Sequence, residues 1–85
     1  QIEERLEKKL MFYPNPSDGS FNIGLEKDGE YQLKIFDLIG REIINQNVIS
    51  HNKRIDVSLL NLVSGMYYVK LINDNEHFEG KIEIL

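Results

Sequence analysis

From Lys9 onward, hydrophobic and polar residues alternate with a period of two, the spacing of a half-buried β-strand. Residues 9–13 predict a short first strand, stopped by Pro14 and Pro16, which cannot donate to a ladder. Ser17, Asp18 and Gly19 complete a turn, and Phe21, Ile23 and Leu25 then mark a second strand. After a turn at Lys27–Glu30, Tyr31, Leu33 and Ile35 mark a third. A fourth runs over 41–49, its alternation blurred by Ile43-Ile44, and a fifth over 54–58 points Ile55 and Val57 inward. Residues 59–65 predict a compact loop, with room for one 3₁₀ turn, whose leucines plug one end of the core. Residues 66–72 and 77–84 form a last hairpin around the loop 73–76.

Two hairpins can be assigned a register. Asp37 paired with Arg41, with Gly40 in the left-handed position, sets Ile35 against Ile43 on the core face and Phe36 against Glu42 outside. Ile72 paired with His77 sets Leu71 against Phe78, Val69 against Gly80 and Tyr67 against Ile82 on one face. The other face then matches Lys70 with Glu79, Tyr68 with Lys81 and Met66 with Glu83. A slip of one residue would break both patterns. Seven short strands separated by turn signals predict an all-β sandwich of two antiparallel sheets.

The opening residues differ. Ile2, Leu6 and Leu10 fall four apart, and Glu4 and Lys8 make an i,i+4 pair, so 1–10 allow an amphipathic helical turn or a linker. Ten residues are too few for a helix stable by itself. The expected organisation is a linker or upstream tail over 1–8 and one domain over 9–85.

Composition removes several functions. The 85 residues suffice for one small domain. A net charge of −4 is the wrong sign for nucleic acid, so no nucleic-acid partner is expected. Cysteine is absent, which excludes disulfides, thiolate nucleophiles and cysteine-ligated metal. Eleven isoleucines and no alanine favour strand over helix. No apolar run reaches the length of a membrane-spanning helix.

No catalytic constellation is visible, and no cofactor or metal is expected. The serines fall in or beside turns, and His51 and His77 sit on separate turn edges. The oxygen-rich turns at 15–18 and 73–76 do not match a calcium loop. Phe36, Met66, Tyr68, Ile72 and Leu85 are the apolar residues expected to point outward. An unpaired final strand would offer an edge for strand addition and for edge-strand dimers of the isolated domain.

Four segments carry a family resemblance. They are Tyr13-Pro14-Asn15-Pro16-Ser17-x-Gly19-x-Phe21, then Tyr31-x-Leu33-x-Ile35-Phe36-Asp37-x-x-Gly40-Arg41-x-Ile43, then Leu59-x-x-Leu62-x-Ser64-Gly65-Met66-Tyr67-Tyr68-Val69-Lys70, then Lys81-Ile82-x-Ile84. In this order and spacing the chain resembles the type A C-terminal sorting domain of the type IX (Por) secretion system of Bacteroidetes. The resemblance implies a seven-stranded immunoglobulin-like sandwich with no catalytic activity. It also implies a role in directing an N-terminal cargo, delivered to the periplasm, through the outer-membrane translocon to the cell surface or the medium. A sortase-like peptidase typically removes such domains at the surface.

Carried onto this chain, the resemblance makes Gly65, Tyr67, Lys70, Lys81, Ile82 and Ile84 the recognition candidates. It makes Pro14, Asn15, Pro16, Gly19, Asp37, Gly40 and Arg41 the structural motif. The competing reading is a structural or carbohydrate-binding β-sandwich of a surface protein. That reading calls for an exposed aromatic platform, for which Phe12, Phe36 and Tyr68 are the candidates.

Overall fold

Alternation becomes eight strand segments in the computed structural model, which describes residues 8–59, 61–74 and 76–85. They are β1 (Lys8–Lys9), β2 (Met11–Tyr13), β3 (Ser20–Gly24), β4 (Glu30–Phe36), β5 (Glu42–Ile49), β6 (Arg54–Ser58), β7 (Gly65–Ile72) and β8 (His77–Ile84). One sheet has the order β1-β8-β7-β4-β5 and the other the order β2-β3-β6. β1 runs parallel to β8, and the other ladders are antiparallel. With β1 and β2 taken as one strand that changes sheets, this is a seven-stranded immunoglobulin-like sandwich.

The sheet change corrects the single strand expected over 9–13. Lys8 and Lys9 pair with Phe78 and Glu79, whereas Phe12 pairs with Ile23 of the other sheet. Leu10, between them, is buried and donates its N–H to Glu79 O at 3.1 Å. One short segment thereby closes the same flank of both sheets. The helical option fails for Lys8–Leu10, which are extended; residues 1–7, most of the expected linker, lie outside the described residues.

The last hairpin adopts the expected register, from Gly65↔Ile84 to Ile72↔His77. In the β4–β5 hairpin Phe36 faces Glu42 as expected, but Ile35 faces Ile44 rather than Ile43. A bulge absorbs one residue of the isoleucine pair. Ile44 packs against the core, and Ile43 stays exposed. The turn itself keeps the expected pairing, and the extra residue falls after Glu42. Asp37 Oδ1 accepts the N–H groups of Ile39 and Arg41 at 3.0 and 2.9 Å, and its Oδ2 accepts Arg41 Nε at 2.7 Å. Gly40 takes φ 87°, the left-handed conformation expected of it.

Inward residues of both sheets form one core. Ile23, Leu33, Ile35, Val69, Leu71 and Ile82 have no solvent exposure. Phe12 meets Phe21 edge-on at 5.6 Å, and Tyr31 meets Phe78 at 6.1 Å. Gly80, opposite Val69, leaves room for Phe12, whose ring would lie 2.8 Å from a β-carbon there. Tyr67 OH donates to Val63 O four residues upstream, the tie that pins a corner in immunoglobulin-like domains. Tyr31 OH makes the equivalent bond to Lys27 O at 3.0 Å. Leu59 and Leu62 pack against the core, as the loop reading expected, while Leu60 of the same loop lies outside the described residues. No 3₁₀ turn occurs among the described residues of that loop.

Two carboxylates brace the turns. Asp28 Oδ1 accepts Ser50 Oγ at 2.8 Å and Lys53 N at 2.7 Å, tying the approach to β4 to the turn before β6. The Ser50 bond and then the Lys53 N–H hold the Asp28 carboxyl below its ordinary value of 3.8. Desolvation pushes Asp37 up, but the Arg41 backbone and side-chain bonds outweigh it and hold this carboxyl low as well. Both groups therefore bind protons more weakly folded than unfolded. Their contribution is complete above the unfolded carboxyl range and is lost as pH falls below about 4 through the folded values. The urea midpoint is expected to drop with acidification in that window, and Asp28→Asn to flatten the decline. An identical profile for Asp28→Asn would show that the brace does not couple to protons.

Candidate functional site

The strand registers bring the four motif segments to one end of the sandwich. Phe36, Tyr68 and Lys81 lie in one row across β4, β7 and β8, and Gly65 faces Ile84 just beyond it. The Asp37–Arg41 turn therefore sits beside the start of β7 and the end of β8. The 13–17 segment meets the same place through its side chains.

Asn15 works there as a piece of strand. Its Oδ1 accepts the N–H of Glu83 at 3.1 Å, and its Nδ2 lies 3.4 Å from Lys81 O. Ser17 continues the pairing: its N–H donates to Glu83 O, and its C=O accepts Leu85 N, both at 2.8 Å. Pro14 and Pro16, exposed and both following cis peptide bonds, bracket Asn15. Ser17 is buried and fully used, since its hydroxyl accepts Gly19 N at 3.0 Å and donates to Ser20 O at 2.9 Å. Gly19 is held against the β6 end, where its C=O accepts Leu59 N at 2.7 Å.

This arrangement corrects the expectation of an unpaired final strand. β8 lies between β7 and the 8–17 segment, which covers its outer edge and bonds the backbone of Glu79, Lys81 and Glu83 there. A partner that meets β8 in this fold meets its side chains.

The six recognition candidates divide by face. Tyr67, Ile82 and Ile84 are buried in the core, at 6, 0 and 2% exposure. Lys81 is exposed, with Nζ 5.7 Å from the Tyr68 ring centre. Lys70 is half-buried, with Nζ 5.4 Å from the Phe36 ring centre, and lies opposite Glu79. Gly65 opens β7 at φ 149°, a conformation that disfavours any side chain, with no atom within 4 Å of where one would start. The outer face at this end thus presents two lysines, each over an aromatic ring.

Around that face the same end carries apolar side chains in water. Leu38 and Ile39 at the hairpin tip are 61 and 76% exposed, and Val63, Met66, Tyr68 and Leu85 are exposed too. Met66, Tyr68 and Leu85 were legible from the alternation. Leu38, Ile39 and Val63 were missed, because loop residues have no period to betray them. The roles of Ser17 and of the Asp28–Ser50 brace were missed as well, since each needs a partner far along the chain.

Among the described residues no catalytic constellation is assembled. No group of three or more His, Asp or Glu side chains able to hold a metal occurs among the described residues. His51 is exposed beside β6, and His77 opens β8 with its Nε2 buried and unbonded. The aromatics of the platform reading also separate. Phe12 is buried between the sheets, which leaves Phe36 and Tyr68, each carrying a lysine.

The sequence is similar to known proteins over most of its length. The family model of the secretion system C-terminal sorting domain matches residues 11–84. The Ulvan lyase NLR42 of Nonlabens ulvanivorans is 32% identical over 71 residues, which are 82% of this chain and 13% of the lyase. The chain thus spans about an eighth of the length of that relative. The matched residues hold all four converging segments, and the chain belongs to the secretion system C-terminal sorting domains, non-catalytic β-sandwich signals of type IX secretion.

Proposed function

We propose that the sorting information lies on the outer face of β7 and β8 at the motif end, in Lys70 and Lys81 with Phe36, Tyr68 and the apolar rim. In this reading Gly65, Tyr67, Ile82 and Ile84 act through the fold by holding that face in place. The observation that carries it is the convergence of the motif segments on one end, where the β8 backbone is already paired. A side-chain surface is what remains for a partner to read. Lysines over aromatic rings suit a partner surface that is acidic with apolar patches.

The cargo of such a signal is a protein fused ahead of the sandwich, and we take residues 1–7, ahead of β1, as part of the connection to it. The cargo reaches the translocon from the periplasm and ends on the cell surface or in the medium, with a sortase-like peptidase removing the domain. The test is a fluorescent periplasmic reporter fused ahead of the 85-residue chain in a Bacteroidetes host. Surface or secreted fluorescence that disappears when the type IX translocon is deleted is the expected result. Export that persists without the translocon would refute the reading.

A further inference from the structure

The free edge of the five-stranded sheet is β5, and it differs from the other edges. β1, β2 and β6 have two, three and five residues, and β6 carries the exposed charges Arg54 and Asp56. β5 has eight residues, with no charge and no proline from Ile43 to Ile49. Natural edges are ordinarily blunted by charge, proline or brevity, and this one has none of these from Ile43 onward.

Its sequence also reads alike in both directions. Ile43-Ile44-Asn45-Gln46-Asn47-Val48-Ile49 is chemically symmetric about Gln46. From this we propose that β5 is a self-association edge, pairing antiparallel with β5 of a second copy around a two-fold axis at Gln46. In that register Ile43 meets Ile49, Ile44 meets Val48, Asn45 meets Asn47 and Gln46 meets itself. Each pair joins like with like, as an isologous contact requires. Glu42 falls opposite Ser50, so no like charges meet.

The backbone is correctly presented. Ser50 N donates to Gly29 O at 3.0 Å, which makes 29/50 a hydrogen-bonded pair of the β4–β5 ladder. Alternation along that ladder turns the N–H and C=O of Asn45, Asn47 and Ile49 toward the open edge. Asn45 and Asn47 of two copies can therefore exchange bonds on both sides of the axis. The apolar ends gain as well: Ile49 is 63% exposed and Ile43 41%, and each would gain an isoleucine neighbour. Apart from Ile43, which closes the second motif segment, this edge lies away from the motif end, and the proposal does not depend on how that end is read.

A single strand pair is a small interface, so association is expected over roughly 10 µM to 1 mM. Sedimentation equilibrium of the 85-residue chain tests it. The wild-type chain is expected to shift from monomer to dimer across that range. Gln46 is exposed, so Gln46→Lys and Gln46→Glu leave the core intact, and each sets like charges directly across the axis. Each variant alone is expected to lose dimer by about tenfold or more, and an equimolar mixture of the two to recover it. A wild-type chain that stays monomeric throughout overturns the proposal and leaves this edge to another partner. Dimers of Gln46→Lys as strong as wild type, or a mixture that fails to associate, overturn the register and with it the assignment.

Discussion

Gly19→Ala is expected to lower the stability of this domain severely, because position 19 combines two demands. Its φ is +117°, outside the range of an L side chain, and an added β-carbon would stand 2.7 Å from Leu59 O. The backbone term alone costs about 1–3 kcal/mol. The contact adds to it, since the blocking atom is backbone and its neighbour Leu59 N already donates to Gly19 O. Relief by moving residue 19 would pull on Ser17, whose hydroxyl and carbonyl tie this turn to Ser20 and to Leu85. Urea unfolding of the variant reads the loss. A midpoint equal to wild type would show that the turn relaxes freely and does not anchor the motif end.

Ile82→Ala is expected to cost about 2–5 kcal/mol, the range for emptying a filled core site. Ile82 has no solvent exposure and faces Tyr67 across the ladder between the last two strands. The site has little means of collapse, because β8 is fastened on one edge to β7 and on the other to Asn15 and Ser17. For a domain of this size such a loss is a large share of total stability. Sorting would then fail because the face is no longer held in place, although Ile82 itself, being buried, meets no partner. Ile82→Val, which keeps most of the volume, should retain most of the stability, at a cost of about 0.5–1.5 kcal/mol. Equal destabilisation by the two variants would contradict a packing role.

The legible parts of this fold are the local ones. The β7–β8 hairpin could be aligned from sequence because two independent signals, core alternation and opposite charges, agree in one register and in no neighbouring one. The β4–β5 hairpin was one residue off beyond the turn, since Ile43 and Ile44 offer the same side chain twice. The bulge after Glu42 decides which of them turns inward. The sheet change at Leu10 was invisible, because period two is the same whichever sheet a strand joins.

The site shows the same division. Lys81 beside Tyr68 followed from register alone, and so did the outward Lys70. The lock of Asn15 and Ser17 onto the last strand did not. It joins residues separated by nearly the whole chain, and local pattern carries no information about such contacts. Resemblance supplied the two end motifs as separate signatures, whereas the structure makes them one hydrogen-bonded unit.

The central claim is that the outer face at the motif end is read by the export machinery, while the residues beneath it only hold it in place. Removing both charges, Lys70→Gln with Lys81→Gln, tests it in the reporter fusion. Both side chains lie on the outer face, so stability is expected to stay within about 1 kcal/mol of wild type, measured by urea unfolding of the isolated domain. The account predicts that the reporter then remains in the periplasm with the domain folded. A folded double variant that carries its reporter to the surface as efficiently as wild type would contradict it.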